Sequence, residues 1–407
     1  MKQNPIIISL FTLSILFMVS CNDFLEEEPQ DRIVAENFFV SEEALGAALT
    51  AAYRQLVNDQ WNRGLGSARL RANFCGADDW TSQPGGNKGA FRDGDQLNIF
   101  PTTVETSNAG WGLGYDVILQ ANFTIQGGEQ MIDNGFDADE VNATLGEAYF
   151  LRAWAYFYLV RLYGGLPIVL DPFFTEENRQ LGRSPESEVY DRILEDLTFA
   201  LDHLPPATPA ENGRASFWAA KALRAQVYLT MASWPLKEAG RFEDALNDAE
   251  DIINEGPFSL VPSFPALFAI ENEDTNTEYI WQLNFCSDIQ CPGEQLFTPF
   301  ASQTTKPAEL GGFQDLFIEK AFFNRFPEGE RKDFTFLTEL ISANGPNIPW
   351  QEFIWKRPFL SKFYSGTVDK NAPFEAQVGV TAQASGIDMP MFRLAEIYLI
   401  YAEAHVM

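Results

Sequence analysis

The stretch "GEAYFLRAWAYFYLVRLYG", residues 146–164, decides the fold class. Ala148, Leu151, Ala155, Tyr158 and Leu162 recur at spacings of three and four, the period of a helix with one buried face. The same period continues downstream. "SEVYDRILEDLTFALDHL" (187–204) aligns Val189, Ile193, Leu197, Ala200 and Leu204, and "RASFWAAKALRAQVYLTMA" (214–232) aligns Phe217, Ala220, Leu223, Val227 and Met231. "RFEDALNDAEDIINEG" (241–256) supplies Phe242, Ala245, Leu246, Ala249, Ile252 and Ile253, then stops at a glycine. Upstream, residues 111–126 continue the pattern, and 41–56 open on Ser41 with Glu42 and Glu43 in the first turn, a helix start.

These segments pair. "GRFEDAL" (240–246) has the turn-and-second-helix pattern of a tetratricopeptide repeat, so 214–232 and 241–256 form one antiparallel hairpin. Segments 146–163 and 187–204 form a second, with residues 164–171 as an extended connector. Alanine at the contacts allows close approach of the helices. The spacing is too irregular for a regular array, and the pairs by themselves read as scaffold. After Pro257 the character changes. Residues 257–380 are rich in Phe, Pro, Gly and Asn, with strand-like pieces such as "EYIWQLNF" (278–285). Loops carried on a rigid scaffold are where binding usually resides. The expected architecture is therefore mainly α: irregular tetratricopeptide-like helical pairs with a loop-rich, ligand-binding region packed on them. Helical pattern returns in "MPMFRLAEIYLIYAEA" (389–404), and the sequence stops at Met407 inside it.

The N-terminus has a different logic. Lys2 precedes an apolar run from Ile6 to Val19, broken only by Ser9, Thr12 and Ser14. That is short of the roughly 20 apolar residues of a membrane span, and it has the layout of a secretory signal, residues 1–20. Cys21, directly after the small Ser20, marks a lipoprotein signal and is the expected lipidation site. Asp23, Glu26, Glu27 and Glu28 behind it read as spacer and surface address. The alternatives are a buried N-terminal strand or helix and an ordinary solvated charge run.

Composition excludes several classes. With 57 acids against 28 bases the formal charge is −29, which repels phosphate backbones, so no nucleic-acid partner is expected. The two histidines, His203 and His405, both fall in helical pattern, and no Ser-His-Asp, Cys-His or zinc constellation can be assembled from them. No catalytic residue, metal ligand or cofactor is nominated. Besides Cys21 the cysteines are Cys75, Cys286 and Cys291; the last two flank a short polar loop that a disulfide would close. "GGNKGAFRDG" (85–94) lacks the Walker spacing and reads as a long mobile loop.

Four segments, "SCNDFLEEEP" (20–29), "GEAYFLRAWAYFYLVRLYGGLPIVLD" (146–171), "RASFWAAKALRAQVYLTMASWP" (214–235) and "MFRLAEIYLIYAEA" (391–404), in that order and spacing, resemble the SusD/RagB family of outer-membrane nutrient-binding lipoproteins. The resemblance covers essentially the whole chain. It implies a non-catalytic, lipid-anchored, surface-exposed protein of the outer membrane. Its ligand would be an oligosaccharide or, in the RagB branch, a peptide, and its partner a TonB-dependent outer-membrane transporter (SusC-like). It also implies one domain over residues 21–407. The last helical pair of the family has a second helix and a tail, so this chain reads as truncated at its C-terminal end.

A sugar ring offers an apolar face and a rim of hydroxyls, so it is held by a flat aromatic beside a few polar groups. "RANFCGADDWTSQPGGN" (71–87) supplies Arg71, Asn73, Asp78, Asp79 and Trp80, and Trp111 follows the glycine loop. Asn73, Asp79, Trp80 and Trp111 are the candidate ligand residues. Against that, Trp111 can simply pack on Tyr115, and Trp80 can be a core residue. Phe297, Phe300 and Gln303 form a second candidate region. Asp78 and Asp79 fall far short of a calcium loop. A surface glycoside hydrolase using two carboxylates, and a pure protein scaffold, are the competing functions.

Overall fold

A computed structural model describes residues 38–57, 65, 77–82, 89–97, 104–173, 175–206, 213–269, 272, 275–284, 310, 316–362, 370–377 and 388–407. Cys21, Arg71, Asn73, Cys75, Cys286, Cys291, Phe297, Phe300 and Gln303 lie outside these residues. The body is helical. In chain order α1 (Glu42–Val57), β1 (Trp80–Ser82), α2 (Gly89–Asp95), α3 (Val104–Asp133), α4 (Ala138–Tyr163), the short α5 (Glu176–Arg179), α6 (Glu186–His203), α7 (Phe217–Ala232) and α8 (Arg241–Glu255) lead into the loop-rich part.

Helix α4 is the decisive segment of the sequence, and it is more buried than an amphipathic helix. Asp137 caps it by accepting from the backbone N–H groups of Asp139 and Glu140, and it ends at Gly164, whose φ of 71° no β-carbon obstructs. Between Phe150 and Val160 every residue but Tyr158 is buried, because α3 packs on one side and α6 on the other. The expected single face was thus too narrow. Leu162, assigned to it, is exposed, while Phe150, Trp154 and Phe157 are core.

Helix α3 corrects a second boundary. It begins at Val104, so Trp111 sits two turns inside it. Its glycines are poor helix formers, each costing about 1 kcal/mol relative to alanine. They are used for close approach: Leu159 lies over Gly114, Phe39 over Gly127 and Leu145 over Gly128. Helices α7 and α8 form the expected hairpin, α4 and α6 the second pair, and the connector between these two runs extended with Leu166 bridged to Ser184.

Bidentate arginine–carboxylate pairs join the helices within each pair. Arg152 of α4 donates to both oxygens of Asp196 on α6 at 2.8 and 2.7 Å. Arg224 of α7 does the same to Asp248 on α8 at 2.7 and 2.8 Å. The two arginines occupy matching places in "LRAWAY" (151–156) and "LRAQVY" (223–228), an internal repeat carried by these helices. Arg152 also reaches Asn122 of α3 at 2.8 Å, and Asn122 donates to the carbonyl of Val169. Tyr156 accepts from the Val169 N–H and donates to its carbonyl, so the connector is held by two helices.

The loop-rich part is built from two-stranded antiparallel sheets among the described residues. β2 (Tyr279–Leu283) pairs with β8 (Met389–Arg393), and β1 with β3 (Leu316–Ile318). After α9 (Lys320–Arg325) and α10 (Glu330–Thr335), β4 (Phe336–Leu337) pairs with β7 (Phe359–Leu360) and β5 (Glu339–Leu340) with β6 (Ile348–Pro349). Strand alternation separates the cores. Ile318, Phe336 and Leu360 point into a core with Leu267, Phe268 and Tyr279, whereas their neighbours Phe317, Leu337 and Phe359 point into another with Leu310, Leu340 and Phe353. β2 is the seam to the helical body: Ile280, Trp281 and Leu283 belong to the main core. The chain ends in α11 (Leu394–Val406), which packs on α7 and α8.

Candidate functional site

The short ladder β1–β3 positions the site. Trp80 lies opposite Ile318, and the N–H of Glu319 donates to the Asp79 carbonyl at 2.9 Å, extending the ladder by one bond. This brings residues 77–80 and 95–97 against α9. Between them lies a cleft of about 440 Å³ whose walls include Asp78, Trp80, Asp95, Leu97, Glu319 and Arg325.

The polar groups of the cleft differ in what they already hold. Asp95, the last residue of α2, accepts from Thr81 Oγ1 at 3.1 Å and from the N–H and Oγ of Ser82 at 3.3 and 3.2 Å. Glu319 is paired with Arg357 at 3.1 Å. These two carboxylates are therefore fixed acceptors. Asp78 and Arg325 are exposed at the rim. Trp80 is half-buried: part of its ring packs on the core of Leu267, Phe268 and Ile318, and the rest forms a wall of the cleft. A rigid aromatic wall with a few oriented acceptors and a cation suits a small polar ring with an apolar face.

Of the three ligand candidates among the described residues, Asp79, Trp80 and Trp111, Trp80 alone lines this cleft. It stands on a strand, with part of its ring in a core. Asp79 is half-buried, and its carboxylate raises the affinity of nearby Lys362 for its proton. Burial outweighs that effect, with Arg331 and Arg393 adding to it, and together they push the Lys362 ammonium down to about 8. Trp111 packs on Tyr115 and Tyr163 with ring centres 4.9 and 5.2 Å away, as a structural residue would, and is not in the cleft lining. Asn73 lies outside the described residues.

Asp95, Glu319 and Arg325 were missed. Asp95 directly follows residues 85–94, the stretch expected to be a mobile loop, yet residues 89–95 form α2. Arg325 sits in "KAFFNRF" (320–326), where an aromatic-rich run conceals an exposed cation. Among the described residues no helix is long and apolar enough to cross a membrane, and no group of three or more metal-ligating side chains occurs.

Known proteins share both sequence and fold. Residues 23–229 match the family model described as "Starch-binding associating with outer membrane", and residues 343–407 match the "SusD family" model. A SusD-like protein of Formosa agariphila, P25, is 32% identical over 71% of this chain; the chain spans about half of that relative's length, 53%. The crystal structure of a SusD superfamily protein from Parabacteroides distasonis superposes with a TM-score of 0.72 at 22% identity, covering 92% of this chain and 77% of that one. A surface glycan-binding protein A from Bacteroides fluxus gives 0.69 at 22% identity, covering 89% and 76%. With more than half of its residues matched by family models and the fold shared along most of its length, the chain belongs to the SusD family.

Proposed function

We propose that the protein is a non-catalytic cell-surface lipoprotein that binds an oligosaccharide in the Trp80 cleft and delivers it to a TonB-dependent outer-membrane transporter. The lipid is carried by Cys21 once residues 1–20 are removed. The observation that carries this reading is the half-exposed Trp80 ring, held by β1–β3 beside oriented acceptors. Family membership supports it, and so does the fold shared with a protein described as glycan-binding. The two best-placed cleft carboxylates, Asp95 and Glu319, already accept bonds from protein donors, which suits anchoring a ligand better than passing protons to one.

Affinity electrophoresis against a polysaccharide panel tests it, with product chromatography alongside. Retardation without shortened products is expected. Trp80→Ala should lose about 1–3 kcal/mol of binding, taking base–aromatic stacking as the scale. Because the ring also packs in a core, this variant should melt lower as well. Trp80→Phe keeps most of the packing and separates the two effects. Shortened products would replace this reading with a hydrolase, and unchanged retention in both variants would move the site elsewhere.

A further inference from the structure

A second concavity, about 710 Å³, lies on the other side of α9 and α10, with Phe322, Phe326, Pro327 and Gly329 in its walls together with Arg325 and Arg331. Arg325 lines both spaces and stands on the ridge between them. Its charges are unequally engaged. Glu328 is ion-paired with Lys332 at 2.6 Å, and Glu330 accepts the backbone N–H of Phe264 at 3.1 Å. Arg331 lies over the Phe264 ring, 5.0 Å from its centre, without an ion pair among the described residues. Arg325 has neither an ion pair nor a hydrogen bond among them. The acids of this concavity are thus occupied, and its two guanidinium groups keep their donors for something else.

The surrounding charge agrees. Residues 316–377 carry eight bases and eight acids, whereas residues 104–255 carry 25 acids and 10 bases. Residues 316–377, which include the lining of the second concavity, are thus a neutral segment on a chain of −29. An anion is repelled by the helical body and admitted here. Planar guanidinium forks match carboxylate and sulfate oxygens, and the two Phe rings offer apolar surface to a sugar ring.

We propose that this second concavity is a subsite for an acidic sugar unit, carrying a carboxylate or a sulfate group, in a saccharide that runs over Arg325 from the Trp80 cleft. The inference rests on the glycan-binding reading above and names the class of glycan. Arg325 and Arg331 pair with the anionic group, Phe322 and Phe326 pack on the ring, and Gly329 leaves room beside them.

The test compares matched probes differing only in charge: polygalacturonate against its methyl ester, and a sulfated galactan against its desulfated form. Retention of at least one charged probe, weakened about tenfold or more in Arg325→Met, is the expected result. Arg325→Lys should recover part of the loss. Both variants should melt like the parent, because the side chain is exposed and holds no ion pair or hydrogen bond among the described residues. Trp80-dependent retention of the uncharged probes, indifferent to Arg325, would overturn the acidic subsite and leave the glycan-binding reading standing. No retention of any polysaccharide, or capture of acidic peptides instead, would overturn both.

Discussion

Arg152 shows how much one side chain can organise. It is buried, forked onto Asp196 and bonded to Asn122, so it joins three helices. Truncating one member of a buried pair costs about 3–5 kcal/mol; Arg192, 3.2 Å from Asp196, compensates part of the charge left behind, which favours the lower end. Arg152→Met should therefore lower the melting temperature sharply, and denaturant titration should recover that loss. Replacing both partners with apolar residues should cost much less. Lys362 behaves in the opposite sense. Its ammonium is held down to about 8 from an ordinary 10.5, first by burial and then by Arg331 and Arg393. Between those values the unfolded chain keeps a proton that the folded one releases, so this group's contribution to stability rises with pH from about 8 to about 10.5. Below that window the charged amine opposes folding. Lys362→Met should raise stability near neutral pH by about 1–2 kcal/mol and flatten the alkaline rise, both measurable by melting curves over a pH series.

At the scale of elements, glycine inside α3 is where propensity and packing disagree. Gly127→Ala improves helix propensity by about 1 kcal/mol, but its β-carbon would enter the ring of buried Phe39. Overpacking costs about 1–3 kcal/mol, so the variant should be less stable than the parent in chemical unfolding, while Gly112→Ala, with open space at the same helix, should not. The same conflict explains what could be read from residue spacing. The hairpin of α7 and α8 was legible because alanine and large residues alternate at helical period on one face each. Helix α4 was legible as a helix but not in its burial, since period alone does not report how many neighbours surround it. The start of α3 was not legible, because Gly110 argues against a helix until the close approach of Tyr158 and Tyr163 to it is known.

At the scale of the whole molecule, the proposed lipid site and the proposed binding cleft fall in different parts of the sequence. Cys21→Ala is expected to release the protein from the membrane fraction while leaving its melting curve unchanged, since the proposed lipid site precedes the packed core. Recovery of the variant in outer-membrane vesicles would reject Cys21 as the attachment point. Of the candidate site, only Trp80 was legible, and for an imperfect reason: an aromatic among small and acidic residues drew notice, whereas Asp95, Glu319 and Arg325 come from segments with no shared pattern. They meet only because β1 pairs with β3 across more than two hundred residues of chain. The charge asymmetry between the helical body and residues 316–377 has an orientational effect. It gives the molecule a permanent electric dipole, and in the field of a polyanion such a body experiences a torque. Rotational diffusion is then biased, so that the acidic helices trail and the segment 316–377 with its second concavity leads, and fewer collisions are spent on the wrong side.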